Sequence, residues 1–275
     1  MVWLHSYVSS VAQLQHSIVP AQAYHNMSLV STIPGGPGFI HTTGLLFHFN
    51  NAYGSYPGTG TAVTDQSAAA NNATLGSAVT YSTENGGRFI LAGAANNFIS
   101  LNNTNFSAAS GNASATTMCV WVRTSAVNGA KLIGVQNTIP PTAATSFSNH
   151  MWIGTNGTLY GGTFGAAAVI NTGTTVNNGA WHYCCYVRST GASSTQLYVD
   201  GATSGAATSP TAQNELIATA RVVIGAGTTN ATWTNSFAGL AYLNCSIGAV
   251  QVYNVALTAA QITQNFNAQR GRYGI

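Results

Sequence analysis

Short apolar runs alternate with clusters of Gly, Asn, Ser and Thr from Leu45 to the end of the chain. Runs of this length between turn-forming residues are typical of β-strands. In Met118–Arg123, Met and Val occupy every second position, so one face of this strand is expected to lie in a hydrophobic core. We therefore predict an all-β chain of about eleven or twelve strands, arranged as two antiparallel sheets packed face to face.

The predicted strands are Leu45–Phe49, Phe89–Leu91, Phe98–Leu101, Met118–Arg123, Ile133–Val135, Met151–Ile153, Leu159–Phe164, Trp181–Arg188, Gln196–Val199, Val222–Gly225, Phe237–Leu243 and Ile247–Tyr253. Trp181–Arg188 is the longest of them. Asn156-Gly157 and Asp200-Gly201 are typical of tight hairpin turns, in which both central residues adopt a positive φ.

The end of the chain carries the signals of a short helix that follows the last strand. Thr258 and Gln261 have the spacing of a capping box, in which each side chain bonds the backbone N–H of the other residue. Leu257 and Ile262 have the spacing of a hydrophobic staple, and Gly271 is expected to end the helix.

The first part of the chain has a different pattern. Apolar residues recur there at spacings of three and four, as on one face of an amphipathic helix: Trp3, Tyr7, Val11, Leu14 and Ile18. A Pro- and Gly-rich segment follows, so we predict an N-terminal arm over residues 1–43 and one globular domain over residues 44–275. The helical stripe either packs on its own domain or docks on another subunit, and the sequence leaves both alternatives open.

Charged side chains make up only 4% of the residues, against roughly a quarter in ordinary domains. A surface of hydroxyl and amide groups suits burial in a large assembly, whereas a free monomer usually carries more charge. The seven Lys and Arg residues are scattered along the chain, which argues against nucleic-acid binding. We expect no membrane span and no signal peptide, because the chain lacks the apolar runs that either requires.

Cys119, Cys184, Cys185 and Cys245 lie in apolar strands and lack the spacing of a zinc site. We expect buried thiols, since free Cys behaves as a small hydrophobic residue. The alternative is a disulfide between Cys119 and either Cys184 or Cys185, which requires their strands to be neighbours.

The closing run VQVYNVALTAAQI resembles the end of concanavalin A-like (laminin-G-type) jelly-roll domains, in the variant found in structural proteins of phages and large viruses. Further segments resemble the same family in a consistent order: GLLFHFNN, AVTDQSAAANNAT, FISLNN, TMCVWVRT, WHYCCYVRS and LYVDGATSG. The resemblance implies a jelly-roll sandwich and, through its viral variant, a structural protein of a virion.

Glycoside hydrolysis, which the glucanases of this family carry out, requires two carboxylates on opposite sides of one bond. Those enzymes place their acids at alternating positions of one strand. The acids of this chain are Asp65, Glu84, Asp200 and Glu215. No strand carries an acidic pair, Asp200 lies in a predicted turn, and His48 and His182 are interpreted as structural residues of strands. We therefore expect no enzymatic activity.

Calcium is the one cofactor that the resemblance implies, held by an Asp of the early loop and by acids near the closing strand. Asp65 matches the loop position, with Asn71 and Asn72 as further oxygen donors. In the closing strand, Ser, Gly and Ala stand where the acids are often found. Because calcium takes about six to eight oxygens and usually several carboxylates, we expect no bound cofactor, with Asp65 as the single calcium candidate. The alternative is that Asp65 bonds the backbone of its own loop.

Exposed aromatic rings beside amide and hydroxyl groups are typical of sugar sites, because a pyranose has an apolar face rimmed by hydroxyls. The candidate carbohydrate-binding residues are Trp152, Tyr160, Trp233 and Asn230, with Trp233 expected to be the most exposed. The alternative for Trp152 and Tyr160 is that they fill the core of the sandwich.

These observations together predict a non-catalytic structural or surface protein of a virion, namely a capsid-associated, decoration or fibre subunit. It is expected to act by packing against other virion subunits, by self-association and by adhesion to host glycans. The viral part of this prediction rests on the resemblance of the closing segment. The alternative is a free-standing or secreted carbohydrate-binding lectin, which would be extracellular.

Overall fold

The computed structural model describes residues 39–101, 115–162, 170–189, 195–208 and 221–275. The apolar residues of the predicted arm lie outside the described residues: Trp3, Tyr7, Val11, Leu14 and Ile18. The structure and contacts of the arm therefore stay a prediction, and so does the division of the chain at residue 44.

The described residues form eighteen strands and one α-helix. In chain order they are β1 (Leu45–Asn50), β2 (Ala62–Val63), β3 (Ala73–Leu75), β4 (Thr80–Ser82), β5 (Arg88–Ala92), β6 (Ile99–Leu101), β7 (Thr116–Thr124), β8 (Lys131–Gln136), β9 (Phe147–Ile153), β10 (Thr158–Gly161), β11 (Ile170–Thr175), β12 (Trp181–Arg188), β13 (Thr195–Val199), β14 (Ala202–Thr208), β15 (Arg221–Ile224), β16 (Ala226–Thr229), β17 (Gly239–Tyr242), β18 (Asn244–Tyr253) and α1 (Ala259–Gln269).

The prediction of about eleven or twelve strands was too low. The strands β2, β3 and β4 are only two or three residues long, too short for a periodic pattern. The strands β11, β14 and β16 consist mainly of Gly, Ala, Ser and Thr, so they carry no alternation of apolar and polar residues. Among the described strands the longest is β18, with ten residues, and not β12.

Two eight-stranded antiparallel sheets form the sandwich, which confirms the predicted all-β jelly roll. The helix-side sheet has the order β14-β13-β12-β7-β18-β5-β4, with β1 also paired to β18. The hairpin-side sheet has the order β11-β10-β9-β8-β15-β6-β3-β2. The strands β16 and β17 pair only with each other, and we call them the covering hairpin.

Side chains from the inner faces of both sheets form one hydrophobic core. The predicted alternation of β7 is confirmed, because Val120 and Val122 lie in this core whereas Cys119 and Trp121 lie in a second cluster on the outer face. Between β15 and β16 the chain turns back at Gly225, whose φ is 75°. A Cβ at this position would collide with the Leu91 side chain, so only glycine fits the turn.

Helix α1 covers the outer face of the helix-side sheet. The predicted capping box between Thr258 and Gln261 is present, and Leu257 and Ile262 are buried in one cluster, as a hydrophobic staple requires. Helix α1 ends at Gln269, and a short 3-10 helix over Arg270–Tyr273 follows it. The prediction that Gly271 ends the helix was therefore wrong. No helix among the described residues has the length and apolar character needed to span a bilayer.

Arg272, in the turn after α1, fills a gap where β18 changes its partner from β5 to β1. The register of β18 shifts around Gly248, between its residues paired to β5 and those paired to β1. The guanidinium of Arg272 donates to the side-chain oxygen of Asn50 and to the carbonyls of Asn85, Gly87 and Gly248. The guanidinium therefore supplies hydrogen-bond donors to oxygens that have no donor from a neighbouring strand.

The loop that follows β1 covers the free edge of this strand. The His48 N–H donates to Asp65 Oδ1 at 2.8 Å, and the His48 carbonyl accepts the Gln66 N–H at 2.9 Å. The Asn71 amide donates to the Leu46 carbonyl at 2.6 Å. The outward backbone groups of this edge strand are therefore bonded within the chain.

Candidate functional site

Aromatic rings from the hairpin-side sheet and the covering hairpin form a stack on the outer face of that sheet. Trp152 of β9 and Tyr160 of β10 are directly paired, with ring centroids 5.6 Å apart. The Asn156-Gly157 turn, with Gly157 at a φ of 76°, sets this register. The Trp233 ring stacks on Trp152 at 5.3 Å, and the Phe147 ring meets Trp233 edge-on at 6.2 Å.

Hydrogen bonds fix the loop between β16 and β17 onto this stack. The Trp152 indole N–H donates to the Thr234 carbonyl at 3.1 Å. The amides of Asn235 and Asn156 donate to the Tyr160 hydroxyl at 2.6 Å and 2.9 Å. Because the polar groups of both aromatic residues are satisfied by this loop and its neighbour, the loop has one well-defined position.

The structure brings together three of the four predicted sugar-binding residues, but it does not expose them. Trp152 and Tyr160 are buried, and Trp233 is only 6% exposed. The prediction that Trp233 is exposed was wrong, because its ring packs against Trp152 and Phe147. Asn230 caps its own turn, where its Oδ1 accepts the N–H of the residue two positions on. Trp152, Tyr160 and Trp233 form a packed structural cluster rather than an open site.

The exposed aromatic ring of this loop is Phe237, which the sequence pattern assigned to a strand. Strand β17 begins only at Gly239, and Phe237 is 48% exposed. The Phe237 N–H donates to the Gly129 carbonyl at 3.1 Å, so the loop that contains Val127, 55% exposed, lies beside it. We call five exposed residues of these two loops the Phe237 rim: Val127, Asn128, Thr232, Thr234 and Phe237.

The signal for the Phe237 rim was present in the sequence. Phe237 directly follows the polar, turn-forming run Thr228–Ser236. An aromatic residue at the end of such a run marks the tip of a loop as readily as the start of a strand. Only the three-dimensional structure shows that the next strand starts two residues later.

Lys131 lies fully buried beneath the covering hairpin, directly paired with Trp152. Its Nζ donates to Gln136 Oε1 at 3.1 Å and lies 5.8 Å from the centroid of the Phe147 ring. Among the described residues it forms no ion pair with a carboxylate. Burial lowers the pKa of Lys131 to about 7, because desolvation disfavours the charged form. The sequence signal for this Lys is its position at the start of a mainly apolar strand.

Both carboxylate oxygens of Asp65 are used within its own loop. Oδ1 accepts the N–H groups of His48 and Ser67, each at 2.8 Å. Oδ2 accepts the Ser67 hydroxyl at 2.6 Å and the Asn71 N–H at 2.7 Å. A carboxylate has about four lone-pair sites, so these donors occupy it fully. The residues present therefore do not fit a calcium site, and no cluster of three or more metal-ligating side chains occurs in the described part of the chain.

Glu84 and Asp200 have structural partners in two other loops. The Glu84 carboxylate forms an ion pair with Arg88 at 2.5 Å, at one end of β5. Asp200 has a φ of 53°, and Gly201 has a φ of 79°, as the predicted hairpin turn requires. The fourth acid, Glu215, lies outside the described residues.

Asp200 also orients a histidine of β12, a contact that the sequence pattern does not indicate. Its Oδ2 lies 2.8 Å from His182 Nδ1, and its Oδ1 accepts the Tyr183 N–H at 2.8 Å. The other ring nitrogen of His182 lies 3.1 Å from Asn178 Oδ1. In a catalytic triad the His would contact a nucleophile, whereas here it contacts the amide oxygen of Asn178. We therefore interpret the contacts of Asp200, His182 and Asn178 as a structural network.

A family model described as the concanavalin A-like lectin/glucanases superfamily matches residues 92–263. The chain belongs to this superfamily. The matched residues include β7, β12 and the closing strand β18, on which the resemblance seen in the sequence depends. No curated protein matches the sequence of this superfamily member.

Several solved structures are similar to this superfamily member. One is the binding domain of Paraclostridial Mosquitocidal Protein 1, with 15% sequence identity and a TM-score of 0.57. The match covers 82% of this chain and 52% of that chain. Trypanosoma rangeli sialidase in complex with sialic acid has 17% identity, a TM-score of 0.58, and coverage of 90% and 37%. The chain thus spans about half of the first protein and a smaller share of the second.

Domain 4 of AbnA, a GH43 extracellular arabinanase from Geobacillus stearothermophilus, in complex with arabinotriose, is similar over nearly its whole length. It has 13% identity and a TM-score of 0.52, and the match covers 80% of this chain and 97% of that chain. At such low identity the likeness of these structures shows the fold alone.

Proposed function

We propose that this superfamily member is a non-catalytic structural or surface subunit of a virion, which packs against other subunits and attaches to neutral glycans through the Phe237 rim. The observation that carries the glycan part is the exposed Phe237 ring, which lies beside hydroxyl and amide groups. Such a ring packs against the apolar face of a pyranose, while Thr and Asn side chains bond its hydroxyls. Because hydrogen bonds hold the loop in place, little conformational entropy is lost on binding.

The state of the carboxylates supports a binding role rather than catalysis. Asp65, Glu84 and Asp200 lie in three different loops, and each is bonded to its own set of neighbouring donors. Cleavage of a glycosidic bond requires two acids that face each other across the substrate. None of the three described acids faces another in this way, so the chain acts by contact and shape.

The low charge of the chain supports the assembly part of the proposal. With 4% charged residues, its surface consists of amide, hydroxyl and small apolar groups, which pack against similar surfaces without desolvating charges. The amphipathic pattern of the arm supports a contact with another subunit. The viral context is supported by the resemblance of the closing segment, residues 246–275.

Calorimetric titration with a panel of neutral oligosaccharides tests the glycan part. For an oligosaccharide that binds, Phe237→Ala is expected to weaken the affinity about tenfold, which is the contribution of one aromatic stacking contact. Phe39→Ala is the matched control, because Phe39 is also an exposed Phe but lies far from Phe237 in the sequence. This variant should keep the wild-type affinity. Equal losses in both variants, or the absence of binding to the whole panel, would contradict this part.

The same mixtures test the absence of catalysis. After prolonged incubation the oligosaccharides are expected to remain intact, as measured by chromatography of the products. Release of new reducing ends by the purified protein would overturn the non-catalytic assignment.

A free extracellular lectin is the second candidate, and the AbnA domain in complex with arabinotriose favours it. Deletion of residues 1–38, which removes the amphipathic part of the arm, separates the two candidates. The deletion stops at residue 38 because the Phe39 carbonyl and the His41 N–H form hydrogen bonds with side chains of α1. A virion subunit is expected to lose self-association in light scattering coupled to size-exclusion chromatography. A lectin keeps both its mass distribution and its glycan affinity after the deletion.

A further inference from the structure

Two of the four cysteines lie directly opposite each other in neighbouring strands. Cys119 of β7 is the register partner of Cys185 of β12. Both side chains are buried in the cluster on the outer face of the helix-side sheet. All four cysteines are free, buried thiols in this structure, in agreement with the prediction from their apolar strands.

The faces of the strands decide which pair of cysteines is relevant. Cys184 is paired with Val120 and lies in the core between the two sheets, on the opposite face from Cys119. Cys245 also lies in that core, and its partners are Leu91 and Thr124. Of the two disulfides that the sequence left open, only the one between Cys119 and Cys185 is compatible with the register.

The distances typical of sheets allow this bond. Directly opposite residues of antiparallel strands have Cβ atoms about 4.5–5.5 Å apart. A disulfide joins Cβ atoms about 3.5–4.5 Å apart. A local approach of about 1 Å between the two side chains therefore suffices, without a change of register.

We propose that Cys119 and Cys185 form a cross-strand disulfide when the chain folds in an oxidising environment, and that they stay thiols when it folds in a reducing one. In this reaction one S–S bond forms between the two cysteines. A small-molecule disulfide such as oxidised glutathione is reduced, and it takes up the two electrons and the two protons as two glutathione thiols. The proposal does not depend on the glycan-binding role.

Folding then fixes the redox state that was reached. Both sulfur atoms lie fully buried, in a cluster that contains Trp121, Tyr183 and the apolar face of α1. Burial raises the pKa of the Cys185 thiol, so the reactive thiolate is rare once the sheet has formed. The redox state of Cys119 and Cys185 in the folded protein thus reflects the redox conditions under which the chain folded.

Refolding the full chain from denaturant, with either a glutathione redox buffer or a reductant, tests the proposal. The oxidised product is expected to have two free thiols instead of four when it is denatured and titrated, and peptide mass spectrometry should show a link between Cys119 and Cys185. Protein that has already folded under reducing conditions should keep four thiols in the same glutathione buffer. Rapid loss of thiols from the folded protein would overturn the claim that folding fixes the state.

Single substitutions in adjacent positions provide the control. After oxidative refolding, Cys185→Ser should leave three free thiols, because Cys119 has lost its partner, whereas Cys184→Ser should leave only Cys245 free. Near-ultraviolet circular dichroism shows whether the oxidised product is native. Four thiols in a native oxidised product, a link that includes Cys184, or a disulfide confined to non-native material would each overturn the proposal.

Discussion

The two outer faces of the sandwich are both covered, but by different kinds of structure. On the helix-side sheet, α1 places Phe266 on Trp121 with ring centroids 5.7 Å apart, and Tyr273 stacks on the same indole at 4.1 Å. On the hairpin-side sheet, the covering hairpin encloses Lys131 without a carboxylate partner among the described residues, and it leaves Phe237 exposed.

Under the proposed function, the helix-side face stabilises the fold and the hairpin-side face makes the contacts. The helix-side cover is apolar and ordered by a complete capping box, features that lower the free energy of the folded state. A buried Lys that has no carboxylate partner among the described residues, and an exposed aromatic ring, do the opposite. Proteins retain such features mainly at functional surfaces. The predictions below test this division.

The largest expected effect is the loss of the aromatic contact under α1. Trp121→Ala should lower the free energy of unfolding by about 3–5 kcal/mol, because it removes a fully buried ring and leaves a cavity. Phe237→Ala, on the other cover, should change it by less than about 0.5 kcal/mol, since that ring is exposed. Urea unfolding followed by circular dichroism measures both values. Similar decreases in the free energy of unfolding of the two variants would contradict the division between a stabilising and a contact face.

Arg272 ties the helix-side cover to the sheet, so its removal should have the next largest effect. Arg272→Ala leaves the carbonyls of Gly87 and Gly248 without their donor and is expected to cost about 2–3 kcal/mol of unfolding free energy. Arg270→Ala is the control, because Arg270 is exposed and its guanidinium lies 5.8 Å from the centroid of the Phe266 ring. The same urea experiment applies. Equal stability of the two variants would show that the gap in β18 needs no donor.

Lys131 offers a test of the hairpin-side cover, because its removal should stabilise the protein. The pKa of Lys131 is about 7 when folded against a usual value of 10.5, so the unfolded chain binds more protons between these values. Stability should therefore rise as the pH increases from about 7 towards 10.5, and below pH 7 the full cost of burying the charge remains.

Lys131→Met should accordingly be more stable than the wild type by about 1–4 kcal/mol near pH 7. The advantage should shrink as the pH approaches 10, where the wild-type Lys is neutral in the folded state. Thermal unfolding at a series of pH values measures this difference. A destabilised variant across the whole range would show that the Nζ contact with Gln136 outweighs the desolvation of the charge.

His48 provides the corresponding test at the edge of the helix-side sheet. Its pKa is lowered to about 4, first by burial and then by the charge of Arg272, so the unfolded chain binds more protons between pH 4 and 6.5. Wild-type stability should fall as the pH drops through this window, by about 3 kcal/mol in total. His48→Gln should flatten the acid side of the profile, and an unchanged profile would exclude His48 as its cause.

The smallest expected effect is that of calcium. Because four donors occupy the Asp65 carboxylate, calcium and a chelator should each leave the unfolding midpoint of the wild type unchanged. A midpoint that rises with calcium concentration, and no longer rises in Asp65→Asn, would restore the calcium site.

The fold could be predicted where local patterns carry it. The alternation in β7 and the capping box at Thr258 are set by neighbouring residues, and the structure confirms them. The strands β11 and β14 escaped prediction because their Gly, Ala, Ser and Thr side chains are ordered by partner strands and not by a hydrophobic pattern of their own.

For the candidate site, the sequence predicted which types of residue the loop contains but not where the loop lies. The sequence shows that Trp233 lies in a polar loop, but it does not show that this loop folds back over Trp152. That contact joins residues more than eighty positions apart, through the turn at Gly225 and the pairing of β16 with β17. For the same reason, the exposed ring was assigned to Trp233 instead of Phe237.

The loop that closes the free edge of β1 has a consequence for copies held at high local concentration. An open strand edge templates the addition of a strand from a neighbouring molecule, which is how cross-β fibrils grow. Here the carboxylate of Asp65 and the amide of Asn71 already saturate the edge. Crowded copies can therefore touch at this edge without polymerising through it.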